Sequence, residues 1–393
     1  MSEGEMSSAN GKISNHERDA EQQDGPRLRR SVTRAVVQDF SPIWFVQRSL
    51  KESGSILLTR KDRFTWCMNS GAIAELLHQC PYRFNGIDIL ANIFFVINLV
   101  LYVVFSSLFI ARFVWFKRAA YDEVVNNMAE LTFLSCWAIA FMTLTSDVAL
   151  ILSTAWWGGY HFTLVAYVMF WFVQAWNTVL LLWAFITLIR RHDSSDRRMP
   201  TSIIIPAVSM STASITGAVV AAFAKDLSSR LAVPVMIVSF NWVGVGILTG
   251  LILYVYLFHS LLAQGWPAPD QTATMFILVG PMGQSAAALQ ILGAAATTYG
   301  RFGDYNKGTF LTAEAARGLD AACVLIALLL NGLGVIWLCF GIYVMVERAV
   351  QKQLRWTPAW NAIILLRISQ GKLLIVREDW RVKQQLEDRQ KAK

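Results

Sequence analysis

Charge is scarce in this chain of 393 residues. Aspartate, glutamate, lysine and arginine together make up 16% of it, against about 25% in a soluble domain. Histidine is scarcer still, with five residues at His16, His78, His161, His192 and His259. They show no HExxH and no paired ligand spacing, so neither a metal nor another cofactor is read from them. No GxxxxGK[ST] loop occurs, which excludes an ATP-driven pump; any transport runs down a gradient or is coupled to an ion. The five cysteines (Cys67, Cys80, Cys136, Cys323, Cys339) are odd in number and lack CxxC spacing. Small buried hydrophobes describe them better than a disulfide framework or a metal site. With no catalytic constellation either, the chain does not read as an enzyme. The polar N-terminus shows no cleavable signal, and Met1 to about Gly25 reads as a disordered tail.

Apolar residues, by contrast, make up 55% of the chain, and they gather into runs longer than the ~18 residues that argue for a membrane span. The fold class is therefore all-α integral membrane. Seven spans stand out: Gly86–Phe113, Leu131–Ser153, Phe162–Ile189, Ser202–Phe223, Leu231–Leu261, Thr272–Thr297 and Gly318–Val346. An eighth, Cys67–Gln79, is weak and too short to cross alone. The net charge of +8 does not signal nucleic acid, because the basic residues sit in tails and short loops. Arg27, Arg29, Arg30 and Arg34 precede the spans; Arg112, Lys117 and Arg118, then Arg190, Arg191, Arg197 and Arg198, follow the first and third. The positive-inside rule places the N-tail and those two loops in the cytosol. Two loops fit this scheme poorly: the one after Leu261 has no lysine or arginine, and the one from Tyr299 to Arg317 has three.

The spans differ in kind. More than half of Ser202–Phe223 is Gly, Ala, Ser or Thr, and Thr272–Thr297 is similar, whereas Gly86–Phe113 and Phe162–Ile189 are bulky aliphatic and aromatic. Small residues suit close packing or a narrow lumen, and bulky ones suit lipid or an outer layer. Their alternation predicts helical hairpins, each with an inner and an outer helix; tight packing without a pore is the competing reading. Within Thr272–Thr297 the run Leu278-Val279-Gly280-Pro281-Met282-Gly283-Gln284-Ser285 is expected to be irregular backbone, tolerated at bilayer depth where it lines a cavity. Gly280, Pro281, Gly283, Gln284 and Ser285 are accordingly candidates for a polar path, joined by Ser209, Ser211 and Gly71.

Ionisable groups inside spans are costly and are functional candidates by default. Asp147 lies deep in Leu131–Ser153, and Glu75 and His78 share the weak first span at adjacent-face spacing. Either these three form a proton-coupling relay or gate, or Asp147 pins a neighbouring helix and His78 is solvated at a helix boundary. Asn177, Asn241, Gln284, Gln290 and Asn331 have the character of interhelical glue.

The run Phe276-Ile277-Leu278-Val279-Gly280-Pro281-Met282-Gly283-Gln284 resembles the tellurite-resistance/dicarboxylate transporter family, also called the voltage-dependent or slow anion channel superfamily. The resemblance extends to Phe40-Ser41-Pro42-Ile43-Trp44-Phe45, Gln79-Cys80-Pro81-Tyr82-Arg83-Phe84, Thr145-Ser146-Asp147 and Thr357-Pro358-Ala359-Trp360, so it covers about Asp39 to Ile364. It implies ten helices in five hairpins around a central pore, of which seven to eight spans are visible here, with odd-numbered helices lining the pore. It also implies a small anion as substrate (sulfite efflux first, malate or another C4-dicarboxylate second), a cell-membrane location and a homotrimer in the lipid bilayer. Two segments depart from the pattern. Val46–Trp66 is a polar insert within the 39–350 transport domain, following a cytosolic tail at 1–38, and 351–393 is a charged tail where the resemblance expects a last hairpin. A seven-span receptor or a non-transporting paralogue is the rival reading.

Overall fold

Seven apolar segments of 23 to 38 residues cross the molecule, and their order in the chain fixes what lies inside it. The computed structural model describes residues 63–351, apart from 81, 116, 156 and 192–199. The N-tail, most of the polar insert, Phe40–Phe45 and the segment from 352 onward lie outside the described residues.

Helix α1 (Arg63–His78) is the weak first span. At about 1.5 Å per residue it is shorter than a ~30 Å hydrocarbon core, and its first turn begins inside the polar insert. Helix α2 (Ile87–Trp115) runs back beside it. Two short helices, α3 (Lys117–Asn126) and α4 (Met128–Phe133), lead to α5 (Ser135–Asp147), which continues into a π-helical turn at Val148–Leu152. Helix α6 (Tyr160–Arg191) returns. A 3₁₀ segment (Thr201–Ile204) leads into α7 (Ile205–Phe223), and α8 (Ser229–Gln264) follows. A second 3₁₀ segment (Pro269–Val279) leads into α9 (Gly280–Ala296); a short α10 (Arg301–Tyr305) precedes α11 (Ala313–Val350). The described residues carry no strand.

The two small-residue spans are inside and the two bulky ones outside, as the alternation predicts, and of the three spans left unassigned one is inside and two outside. In the most apolar stretch of each span, burial is 83% for Glu130–Leu152, 94% for Thr201–Phe223 and 89% for Gln271–Ala296. For α2, α6, α8 and α11 it is 17%, 33%, 39% and 28%. Those four turn Ile93, Val100, Val179, Ile252 and Leu329 outward, an apolar belt suited to acyl chains. The inner helices form a sequential arc in which α1 packs on α5, α5 on α7 and α7 on α9.

Glycine allows the close approach. A Cβ at Gly217 of α7 would stand 2.0 Å from Ser239 Oγ on α8 and 2.7 Å from the Phe170 ring on α6. On α9, a Cβ at Gly293 would stand 2.5 Å from Asp320 Oδ1 of α11. Without bulky side chains, van der Waals contact and interhelical hydrogen bonds hold such seams.

Two of the three basic residues from Tyr299 to Arg317 have local partners. Arg301 points its guanidinium at the C-terminal end of α7, donating to Ala221 O and Leu227 O, where helix carbonyls lack partners and favour a cation. Burial pulls this guanidinium below the ordinary arginine value, and Asp304 and Tyr299 oppose the shift. Lys307 lies 5.1 Å over the Tyr305 ring. Conversely, Arg112, which reads as a loop charge, is only 7% exposed. It belongs to the last turn of α2 and pairs with Glu123 at 2.8 Å and Glu130 at 3.9 Å.

Candidate functional site

The expected irregular backbone exists, displaced by one segment. Gly280, Pro281, Gly283, Gln284 and Ser285 occupy the first two turns of a regular α-helix. Pro281 sits in that first turn, where its missing N–H removes no helical bond. The irregular stretch is the eleven-residue 3₁₀ segment before it, long for a geometry usually confined to 3–4 residues. Tyr254 Oη, from α8, donates to Leu278 O near its end, and Thr274 bonds Thr201 of the other 3₁₀ segment. Helices α7 and α9 thus start alike, with a 3₁₀ lead, a proline in the first turn and a hydroxyl pair joining the two leads.

Below these leads the candidate residues meet in two polar seams. In the first, Ser211 Oγ and Ser285 Oγ are 2.9 Å apart, and Thr212 Oγ1 donates to Gln284 Oε1 at 2.9 Å, stitching α7 to α9. Ser209 faces the other way, donating to Asn177 Oδ1 of the outer α6 at 2.6 Å. Gly283 is different. It keeps some exposure on an otherwise buried helix, and a Cβ built there would meet no atom within 4 Å.

The second seam joins α1, α2 and α5. Asp147 is fully buried, and its Oδ2 accepts a 2.8 Å bond from Asn98 Nδ2. Gly71 completes the meeting point, since a Cβ there would stand 2.5 Å from Asn98 Nδ2 and 3.1 Å from Asp147 Oδ2. Glu75, one turn along α1, is close enough to act on Asp147 electrostatically. His78 is not brought to this group; its charged neighbours are Asp88 and Arg83, which pair at 3.1 Å across the α1–α2 turn. Directly after Asp147 the helix widens, Ser153 N–H bonding Val148 O at 3.0 Å in the i→i+5 pattern. A π turn of this kind is frequent at functional sites.

Asn98 escapes a reading by charge, though the sequence holds a signal for it. It falls on the buried stripe Ile87, Ala91, Phe95, Asn98 at helical spacing, on an otherwise apolar helix. Helices α5, α7 and α9 contain no lysine or arginine. Among the described residues no cluster of three or more His, Cys, Asp or Glu could hold a metal ion.

Comparison with known proteins agrees with this architecture. The family model described as voltage-dependent anion channel matches residues 62–365. A sulfite efflux pump of Arthroderma benhamiae is 23% identical over 280 residues, covering 71% of this chain and 72% of the pump. A sulfite efflux pump of Arthroderma otae is 22% identical over 319 residues, covering 81% and 77%. A putative malic acid transport protein of Schizosaccharomyces pombe is 21% identical over 328 residues, covering 81% and 72%.

Proposed function

We propose, from the premise that the chain belongs to the voltage-dependent anion channel family, that this multi-pass membrane protein exports sulfite along a path bounded by α1, α5, α7 and α9. The observation that carries the reading is Gly283. Space opens at one position of a helix that is buried nearly everywhere else, beside the Thr212–Gln284 and Ser211–Ser285 seams. With no fixed cation on α5, α7 or α9, hydroxyl and backbone dipoles supply the preference for anions. The proposal includes a plasma-membrane location, a cytosolic N-tail and assembly as a homotrimer.

Malate or another C4-dicarboxylate is the second reading, favoured by the relative named for malic acid transport. The test is sulfite and malate flux into vesicles carrying the full chain, with Gly283→Trp and the outer-helix variant Gly244→Trp, another position open at Cβ. Sulfite flux cut at least about tenfold by the first variant and not by the second is expected if the side chain occupies a conduit. Malate flux alone would move the assignment to the second reading. Equal flux in both variants would remove Gly283 from the path, and no anion flux in folded protein would return the receptor reading. That rival also requires an extracellular N-tail, which a tag-accessibility measurement on intact cells decides.

A further inference from the structure

Asn98 and Asp147 meet through one hydrogen bond, and each keeps an acceptor unused. Asn98 Nδ2 donates to Asp147 Oδ2 at 2.8 Å, while Asn98 Oδ1 and Asp147 Oδ1 are both buried and without a hydrogen-bond partner. Both residues are 0% exposed. Two orphaned acceptors on one buried pair are expensive in a dry span, and an ionised carboxylate with no cation beside it among the described residues more so. Gly71 packs against the bonded atoms, where a Cβ would stand 2.5 Å from Asn98 Nδ2 and 3.1 Å from Asp147 Oδ2.

One proton on Asp147 removes the charge and supplies a second bond. A carboxylic acid has an O–H donor where the carboxylate has none. Facing a carboxamide, it can donate to Oδ1 while accepting from Nδ2. We propose that Asp147 and Asn98 form a proton-binding pair, the proton sitting between their Oδ1 atoms, and that its loss to water closes the path to anions.

The surroundings give loss of the proton a specific consequence. The elements packed on α5 bring Glu75 from α1, Asn98 and, farther along, Tyr102 from α2, and Gln174 and Asn177 from α6. Helix α7 brings serine and threonine only along this stretch, and α1 ends at His78 beside Arg83 and Asp88. Arg112, the nearest basic group on α2, is committed to Glu123 and Glu130. Among the described residues no basic side chain pairs with Asp147, so deprotonation places an anion there near Glu75, in a region of low dielectric where charge acts strongly. Thr143, one turn before Asp147 and also against Gly71, retains exposure, so the charge would develop next to the accessible part of α5. The pair also marks the junction of α5 with its π turn, an irregularity frequent at functional sites. The protonated form is thus the permissive one, present at low pH and lost as pH rises through the titration of the pair.

The gating half rests on the anion-transport reading; the proton-binding half does not. Infrared difference spectra of the full chain in lipid, taken between wild type and Asp147→Asn, read the first directly. A carboxylic-acid C=O band at neutral pH that Asp147→Asn abolishes is expected. Asn98→Leu should move that band to the frequency of a carboxyl without a hydrogen-bonded partner. A carboxylate band from Asp147 at neutral pH overturns the proposal, as does a band indifferent to Asn98→Leu in folded protein. Sulfite flux across a pH series reads the second half. Wild-type flux should fall about tenfold or more as the acid band disappears, while the isosteric Asp147→Asn stays level. Identical pH profiles in the two proteins overturn the gating. No flux from either at any pH condemns the transport reading, whereas the proton-binding pair still stands or falls by its infrared band.

Discussion

Inner and outer helices of this protein solve opposite problems. The outer ones, α2, α6, α8 and α11, are unbroken α-helices of 29 to 38 residues rich in branched aliphatics. Their backbone hydrogen bonds stay within the segment, as lipid demands. The inner ones are short and interrupted: 19 residues in α7 and 17 in α9, each behind a 3₁₀ lead, and 13 in α5 ahead of a π turn. Irregular backbone survives there because neighbouring helices, not acyl chains, surround it. Tyr254 meets one freed carbonyl and Ser153 another. The outer layer supplies the solvent in which the inner layer can be polar and bent.

The comparison can be broken from either side. The largest effect is expected on the outside. Leu329, 69% exposed near the middle of α11, should face acyl chains, and Leu329→Arg should raise the insertion free energy by roughly 2.5–3.5 kcal/mol. A glycosylation-based insertion assay reads this, and unchanged insertion would mean that α11 is not a lipid-facing wall. On the inside, Gly217→Leu forces a side chain into Ser239 and Phe170. Overpacking of this kind costs about 1–3 kcal/mol, visible as a lower unfolding midpoint in detergent. Its partner Gly244→Leu on α8 meets open space and should stay within about 0.5 kcal/mol of wild type. Should the two midpoints coincide, the inner seam is not closely packed.

A smaller effect is expected at Tyr254→Phe, which removes the hydroxyl donor to Leu278 O at a cost of about 0.5–1.5 kcal/mol, the net worth of a typical hydrogen bond. Faster amide exchange across 269–279 than in α8 would locate that loss in the 3₁₀ lead; exchange unchanged there would show the lead to be independent of Tyr254. Smallest is the Thr212–Gln284 bond. A double-mutant cycle with Thr212→Val and Gln284→Leu should return a coupling near 0.6 kcal/mol, about the average for hydrogen bonds between membrane helices. A coupling of zero would leave that seam to packing alone.

Much of this architecture is legible because membrane spans are written in length and hydropathy, and lipid leaves few alternatives. All seven long spans fall where the apolar runs place them, and the small-residue runs Ser202–Phe223 and Thr272–Thr297 are two of the three buried ones; the third, Glu130–Leu152, carries no such composition signal. The backbone around residue 280 is less legible. Gly280 and Pro281 read as a break, yet proline in a first turn begins a helix as readily as it ends one, and the 3₁₀ geometry of Pro269–Val279 has no side-chain signature of its own. Charge is legible only in bulk. Nothing in the order of residues says that Arg301 closes the end of α7 or that Arg112 turns inward to Glu123 and Glu130.

What the sequence determined by itself was the class of fold and the division between two kinds of helix, since both follow from transfer of side chains between water, lipid and protein. Only the tertiary structure decided partnerships. Asn98 and Asp147 are 49 residues apart, Ser211 and Ser285 74. Each pair exists because particular helices touch at particular heights, and that depends on where glycines let backbones approach. Local spacing carries no trace of such a contact; the packed arrangement of α1, α2, α5, α7 and α9 creates it.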